Sequence, residues 1–102
     1  MVKAMIFLKR RDGLSLDEFR LWWLDVHRPL AEKLPGLRRH AFNLLADGPC
    51  DAVVEQWFDS EDAMRSSYDT AAGRAVFADS QAHVRDRERV LVEEHVFVLP
   101  DE

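Results

Sequence analysis

Two stretches near the ends of this chain carry apolar residues on both of their alternating faces, and that pattern restricts the possible folds more than any other feature. Val2 to Lys9 sets Val2, Ala4, Ile6 and Leu8 against Met5 and Phe7, while Val90 to Leu99 sets Leu91 and Phe97 against Val90, Val92, Val96 and Val98. A strand points successive side chains to opposite faces of its sheet, so a sheet built from these segments needs cover on both faces. The residues between them supply only two helical regions, which can cover one face. The other face must meet a second protomer or stand as an apolar patch that monomers rarely tolerate. The pattern therefore predicts a homodimer through the open sheet face.

The first helical region is Leu16 to Leu37, LDEFRLWWLDVHRPLAEKLPGL. Ser15 and Glu18 have the spacing of a capping box at its start, and Pro35-Gly36 supplies a stop. On a regular helix Leu16, Phe19, Trp22, Trp23, Val26, Leu30 and Leu34 fall in one sector, and His27 lies roughly 65° from its centre. His27 then borders the core without being buried at its middle, where an imidazole beside tryptophans can be poised as acid or base. A packed structural histidine fits the same position. Pro29 lies inside this helix; lacking an N–H, it frees the carbonyl of Asp25 and predicts a kink close to His27.

Leu37 to Ala46 and Asp51 to Phe58 read as two strands joined at Asp47-Gly48-Pro49. Residues 60–70 read as helical after the Asp59-Ser60 cap, and Ala71 to Arg89 as a looser helical region around Gly73, with Ala75, Val76, Phe77, Ala82 and Val84 as its apolar contacts. Val90 to Leu99 is the last strand. The order β-α-β-β-α-β predicts an α+β, ferredoxin-like domain over residues 1–102, an antiparallel four-stranded sheet with its helices on one face. At 102 residues and 47% hydrophobic content the chain suits one core and is too small for two.

Several function classes are disfavoured. A net charge of −5 with no Lys/Arg-rich run argues against nucleic acid or an anionic membrane as partner. No apolar stretch is long enough to span a bilayer, and MVKAMIFLKRR is too short and wrongly flanked for a signal peptide, so a cytoplasmic location is expected. Cys50 is alone in a loop and offers neither a disulfide nor a thiolate metal site. His27, His40, His83 and His95 form no His-x-His or His-x3-His pair, so no metal is expected; Asp79 and His83, four apart, suit a local ion pair. The glycines at 13, 36, 48 and 73 are dispersed and make no phosphate cradle. Gly-x-Ser-x-Gly is absent as well.

The series Phe19, Trp22, Trp23, His27, Pro29, Pro35 and Gly36, led in by Leu14-Ser15 and followed by Glu55-Gln56-Trp57-Phe58, resembles the EthD family over nearly the full chain. The resemblance implies a dimeric α+β barrel of ferredoxin-like fold. It also implies cofactor-free proton chemistry on a small organic molecule, of the kind done by lactone isomerases of aromatic catabolism and polyketide-tailoring lyases. By that resemblance His27 is the general base or acid, Trp57 a pocket wall and Glu55 an orienting, hydrogen-bonding group. Trp23 and His40 join the substrate site, and Tyr68 or His40 is the donor that holds an enolate. From the residues alone, a pocket of His27, His40, Trp57 and Tyr68 suits a planar organic ligand with ionisable oxygens. The alternative is a non-catalytic protein in which the same pocket binds or shields a metabolite. No carboxylate is placed to fix the tautomer of His27, since Asp25 faces elsewhere on the helix.

Overall fold

The computed structural model describes residues 1–100 of the chain. β1 (Val2–Arg10) leads to α1 (Leu16–Trp22), a π-helical turn (Trp23–His27), α2 (Arg28–Ala31), β2 (Arg39–Leu44), β3 (Ala52–Phe58), α3 (Glu61–Tyr68), α4 (Ala71–His83) and β4 (Val84–Val92). The sheet runs β2-β3-β1-β4 with every neighbouring pair antiparallel. This is the α+β, ferredoxin-like arrangement that the order of elements predicts.

Register sorts the side chains into two faces. Ala4, Ile6 and Leu8 of β1 share one face with Ala52, Val54, Gln56 and Phe58 of β3, His40, Phe42 and Leu44 of β2, and Arg87, Arg89 and Leu91 of β4. The helices pack here, and Phe19, Trp22 and Trp23 seat on Ile6, Leu8, Ala52 and Val54. A second cluster joins Ala4 and Phe58 to Met64 of α3, and a third joins Ala31 and Leu34 to Val76 of α4. The other face carries Lys3, Met5, Phe7, Val53, Trp57 and Val90, with no helix over it.

The first helix begins as predicted: the Ser15 hydroxyl accepts from the Glu18 N–H at 3.1 Å, and the Glu18 carboxylate accepts from the Ser15 N–H at 3.0 Å. It does not continue as a regular helix. Over Trp23–His27 the turn widens, so that the N–H of Arg28 donates to the carbonyl of Trp23, five residues back. The proline predicted to kink the helix lies two residues beyond. A widened turn moves the Asp25 carbonyl clear of the Pro29 ring, with which a regular turn would clash. The extra residue in that turn shifts all later side chains around the axis. The buried positions become Phe19, Trp22, Trp23, His27, Ala31 and Leu34, and Val26 is turned outward at 51% exposure. The regular-helix expectation is thus corrected at two places: Val26 leaves the apolar stripe, and His27 enters it at 6% exposure. Helical structure also ends at Ala31, ahead of Pro35-Gly36, where Gly36 takes φ +75° in the following turn.

The C-terminal elements are displaced from expectation. The helical region ends at His83, and the last strand is Val84–Val92 in place of Val90–Leu99. Residues 84–89, expected to be helical, instead pair with the open edge of β1, and Arg87 and Arg89 lie on the helix-covered face where their stems and cations find Tyr68. The two hairpin strands are also shorter, Arg39–Leu44 and Ala52–Phe58. Of the apolar contacts expected from the second helical region, Val76 is buried while Phe77 is 48% exposed.

Candidate functional site

The widened turn delivers His27 to a carboxylate on α4. Its Nδ1 lies 2.9 Å from Asp79 Oδ2, and the indole Nε1–H of Trp22 donates to the same oxygen at 3.1 Å. An ionised carboxylate only accepts, so the imidazole proton sits on Nδ1 and the Nε2 lone pair is left available. The ring is held between two indoles, with centroids 4.9 Å from Trp22 and 5.8 Å from Trp23. Burial lowers its pKa from the usual value, and the hydrogen bond to Asp79 opposes that shift without cancelling it. His27 is therefore a neutral, oriented base at neutral pH. Asp79 also anchors His83: the His83 Nδ1 lies 2.9 Å from the Asp79 carbonyl and 3.4 Å from its carboxylate, with the His83 ring stacked on Trp22 at 4.5 Å.

His27 lines an internal cavity between the helices and the sheet. Trp23, His40, Gln56, Tyr68, Ser80 and Arg87 supply its polar and aromatic wall, and the sheet supplies its apolar floor. Its free volume is about 10 Å³, room for one water. Three features of this wall bear on chemistry. His40, from β2, is held neutral by burial, which pushes its pKa down to about 4, and its Nε2 is buried with no partner. The Tyr68 hydroxyl donates to Gln56 Oε1 at 2.9 Å, so Tyr68 is fixed to the sheet. Arg87, from β4, stacks over Tyr68 at 5.8 Å; burial lowers its pKa from the usual value, yet a guanidinium stays charged.

Of the residues singled out from sequence, His27, Trp23, His40 and Tyr68 meet at this cavity. Trp57 and Glu55 do not. Both point from β3 to the opposite face of the sheet, which corrects the expectation of one pocket containing His27 and Trp57. There the Lys3 ammonium bridges Glu55 at 2.5 Å and Glu94 at 2.7 Å, and the Trp57 indole donates to Glu94 at 3.1 Å. Lys3 and Arg39 lie over the Trp57 ring at 4.9 and 4.7 Å. Lys3, Arg39, Trp57 and Glu94 edge an open groove of about 630 Å³. The hydrogen bond from Lys3 holds Glu55 below the usual carboxylate range, so Glu55 is a fixed anion and not a poised acid.

Sequence reasoning missed Asp79, Gln56 and Arg87. The sequence pairs Asp79 only with His83 on its own helix, because the π turn that sets the phase of the first helix leaves no local signal. Gln56 was legible as a polar residue alternating with Ala52, Val54 and Phe58 on a buried face. Arg87 was assigned to a helix. Among the described residues no group of three or more His, Cys, Asp or Glu side chains is placed to hold a metal ion, and no helix is long and apolar enough to cross a membrane.

No curated protein matches the chain at a significant level. Among solved structures, an EthD family protein from Bacillus halodurans superposes with a TM-score of 0.80 at 21% identity, covering 93% of this chain and all of the other. A dimeric ferredoxin-like protein from Thermobifida fusca gives 0.72 at 24% identity over 89% and 88% of the two chains. SnoaB, a cofactor-independent oxygenase from Streptomyces nogalater, gives 0.71 at 18% identity over 98% and 97%. At these identities the likeness carries the fold alone. The family comes from the sequence: the EthD domain model matches residues 11–87, a span that contains the widened turn, His27, Asp79 and Arg87. The chain belongs to the EthD family.

Proposed function

We propose that this protein is a cofactor-free isomerase or lyase that moves a proton on a small aromatic, lactone or polyketide-type metabolite, with His27 as the base. The observation that carries this reading is the His27–Asp79 pair: a buried neutral imidazole whose Nδ1–H is held by a carboxylate and whose Nε2 is free, on the wall of a cavity. In the reaction Nε2 takes a proton from carbon alpha to a carbonyl, and the C–H electron pair moves onto the oxygen as an enolate. The proton returns to another carbon in an isomerisation, or the enolate expels a leaving group in an elimination. His40, whose buried Nε2 has no partner, lines the same wall and steadies that oxygen, while Tyr68 can do so only by giving up its bond to Gln56. The cofactor-independent oxygenase among the structural neighbours is in keeping with cofactor-free chemistry on this fold. The working unit in this reading is a cytoplasmic homodimer.

The test is deuterium wash-in, followed by proton NMR, at carbons alpha to the carbonyl in a panel of lactones and 1,3-diketones. Wild-type protein should accelerate exchange, and His27→Gln should lose about 10²–10⁴ of that rate. Exchange that never exceeds buffer, or that survives His27→Gln unchanged, removes the reading. A non-catalytic binding role is favoured by one observation: the groove beside Trp57 offers about 630 Å³, whereas the His27 cavity offers about 10 Å³, room for one water. In that case a ligand quenches Trp57 fluorescence, Trp57→Phe abolishes the response, and His27→Gln leaves it intact.

A further inference from the structure

The wall of the His27 cavity carries more hydrogen-bond donors than the protein satisfies. The indole N–H of Trp23 is buried with no partner, although its two neighbours in kind are both bonded, Trp22 to Asp79 and Trp57 to Glu94. The Nε2 of His40 is likewise buried and unpartnered. Arg87 adds a cation to the same wall: no carboxylate of the described residues pairs with it, its guanidinium hydrogen-bonds Tyr68, and another cation, Arg89, lies beside it. All three residues line the same cavity. Burying an unsatisfied donor is costly, so two such groups beside a cation with no carboxylate partner call for an acceptor.

What acceptor fits follows from the donors. Trp23 and Arg87 can only donate, and neutral His40 can present an N–H. The carboxylate of Asp79 is already engaged by Trp22 and His27. We infer that the cavity is an oxyanion site, in which Arg87, Trp23 and His40 hold a negatively charged oxygen of a small organic ligand. This rests on the proposed function only for the identity of that oxygen, which there is the enolate oxygen formed when His27 takes its proton. The donors alone fit a carboxylate equally well. In either case the space must widen beyond one water. Arg87 and Tyr68 are the half-buried, long side chains of the wall, and Arg87 has no ion pair to hold it in place.

The three indole N–H signals in a ¹H–¹⁵N NMR spectrum make a direct reporter. Acetate and benzoate should shift the Trp23 signal saturably while those of Trp22 and Trp57 stay, with acetamide and benzamide inert at the same concentrations. Arg87→Gln should weaken the response about tenfold or more. Arg87→Lys should recover part of it, which separates lost charge from a damaged fold. Pentane-2,4-dione distinguishes the two sources of the oxygen, since the site should draw out its enolate, seen by ultraviolet absorbance, in wild type and not in His27→Gln. Enolate formation together with the carboxylate response supports both the site and the catalytic reading. A carboxylate response without enolate formation supports the site and counts against His27 as the base. No saturable Trp23 shift, or equal shifts from the amides, overturns the inference and leaves a single water as the occupant.

Discussion

At the scale of the residue, the protein's behaviour with pH should be set largely by two histidines that burial keeps neutral. In the unfolded chain both titrate near the usual value of 6.5; in the fold His27 is lowered and His40 is pushed to about 4. The unfolded state then binds protons first as pH falls, so both histidines destabilise the fold progressively below 6.5 and contribute no pH dependence above it. Carboxylates held low, such as Glu55, add a loss at lower pH, so the comparison must be between variants. Melting temperature measured from about pH 7 down to about pH 4 should fall less steeply in His40→Phe than in wild type. Parallel curves would show that His40 is protonated freely in the folded protein. Asp79 has a separate role. Asp79→Asn should release the Nδ1–H tautomer of His27, giving mixed tautomers by ¹⁵N NMR and a loss of exchange rate of about 10²-fold or more. Retention of a single tautomer would mean that the indoles orient the ring without the carboxylate.

At the scale of the element, the first helix was half legible. Its cap, its tryptophans and the disturbance by Pro29 followed from residue chemistry. The form of that disturbance did not, because a proline can be accommodated by a bend or by a widened turn, and the choice depends on packing downstream: Ala31 and Leu34 reach Val76 only after the extra residue. The same uncertainty hid Asp79 from His27. Val26 gives a clean check of the phase. If the turn is π-helical, Val26→Lys is a surface change and should alter stability by no more than about 0.5 kcal/mol; on a regular helix it would bury a charge and cost several. Denaturant unfolding distinguishes these outcomes. The end of α3 offers a second element-level prediction. A Cβ on Gly73 would clash with the carbonyl oxygen and Cα of Tyr68, both backbone atoms that cannot yield cheaply. Gly73→Ala gains about 1 kcal/mol of helix propensity but must separate α3 from α4. The clash should win, with a net loss of about 2 kcal/mol by the same measurement and a weakened Tyr68–Gln56 bond. The β4 misreading has a related origin. Its charges resemble an exposed helix, and nothing local reveals that β1 still lacks a partner on one edge.

At the scale of the whole molecule, the two-sided apolar pattern of β1 was legible from the start, and the fold sharpens what it implies. One face of the sheet takes the helices, while Met5, Phe7, Val53 and Val90 lie on the other. The chain beyond β4 adds to that face. Glu94 ties it down through Lys3 and Trp57, and the residues after it carry Val96, Phe97, Val98 and Leu99 at 57–90% exposure. Four exposed apolar residues in succession next to an uncovered sheet match a surface that a second copy would bury, and a stable dimer needs about 1,200–2,000 Å² of it. Sedimentation should therefore give about twice the 11.8 kDa chain mass. Phe7→Arg should place an unpaired charge at the centre of the interface and yield monomer. Ending the chain at Val92 should weaken association while leaving the His27 tautomer unchanged, because the cavity lies on the helix side and draws no wall residue from beyond Arg87. A monomeric wild type would mean that the open face meets some other partner. Loss of the tautomer on truncation would mean that the two faces of the sheet are coupled, with the dimer needed to hold the site in shape.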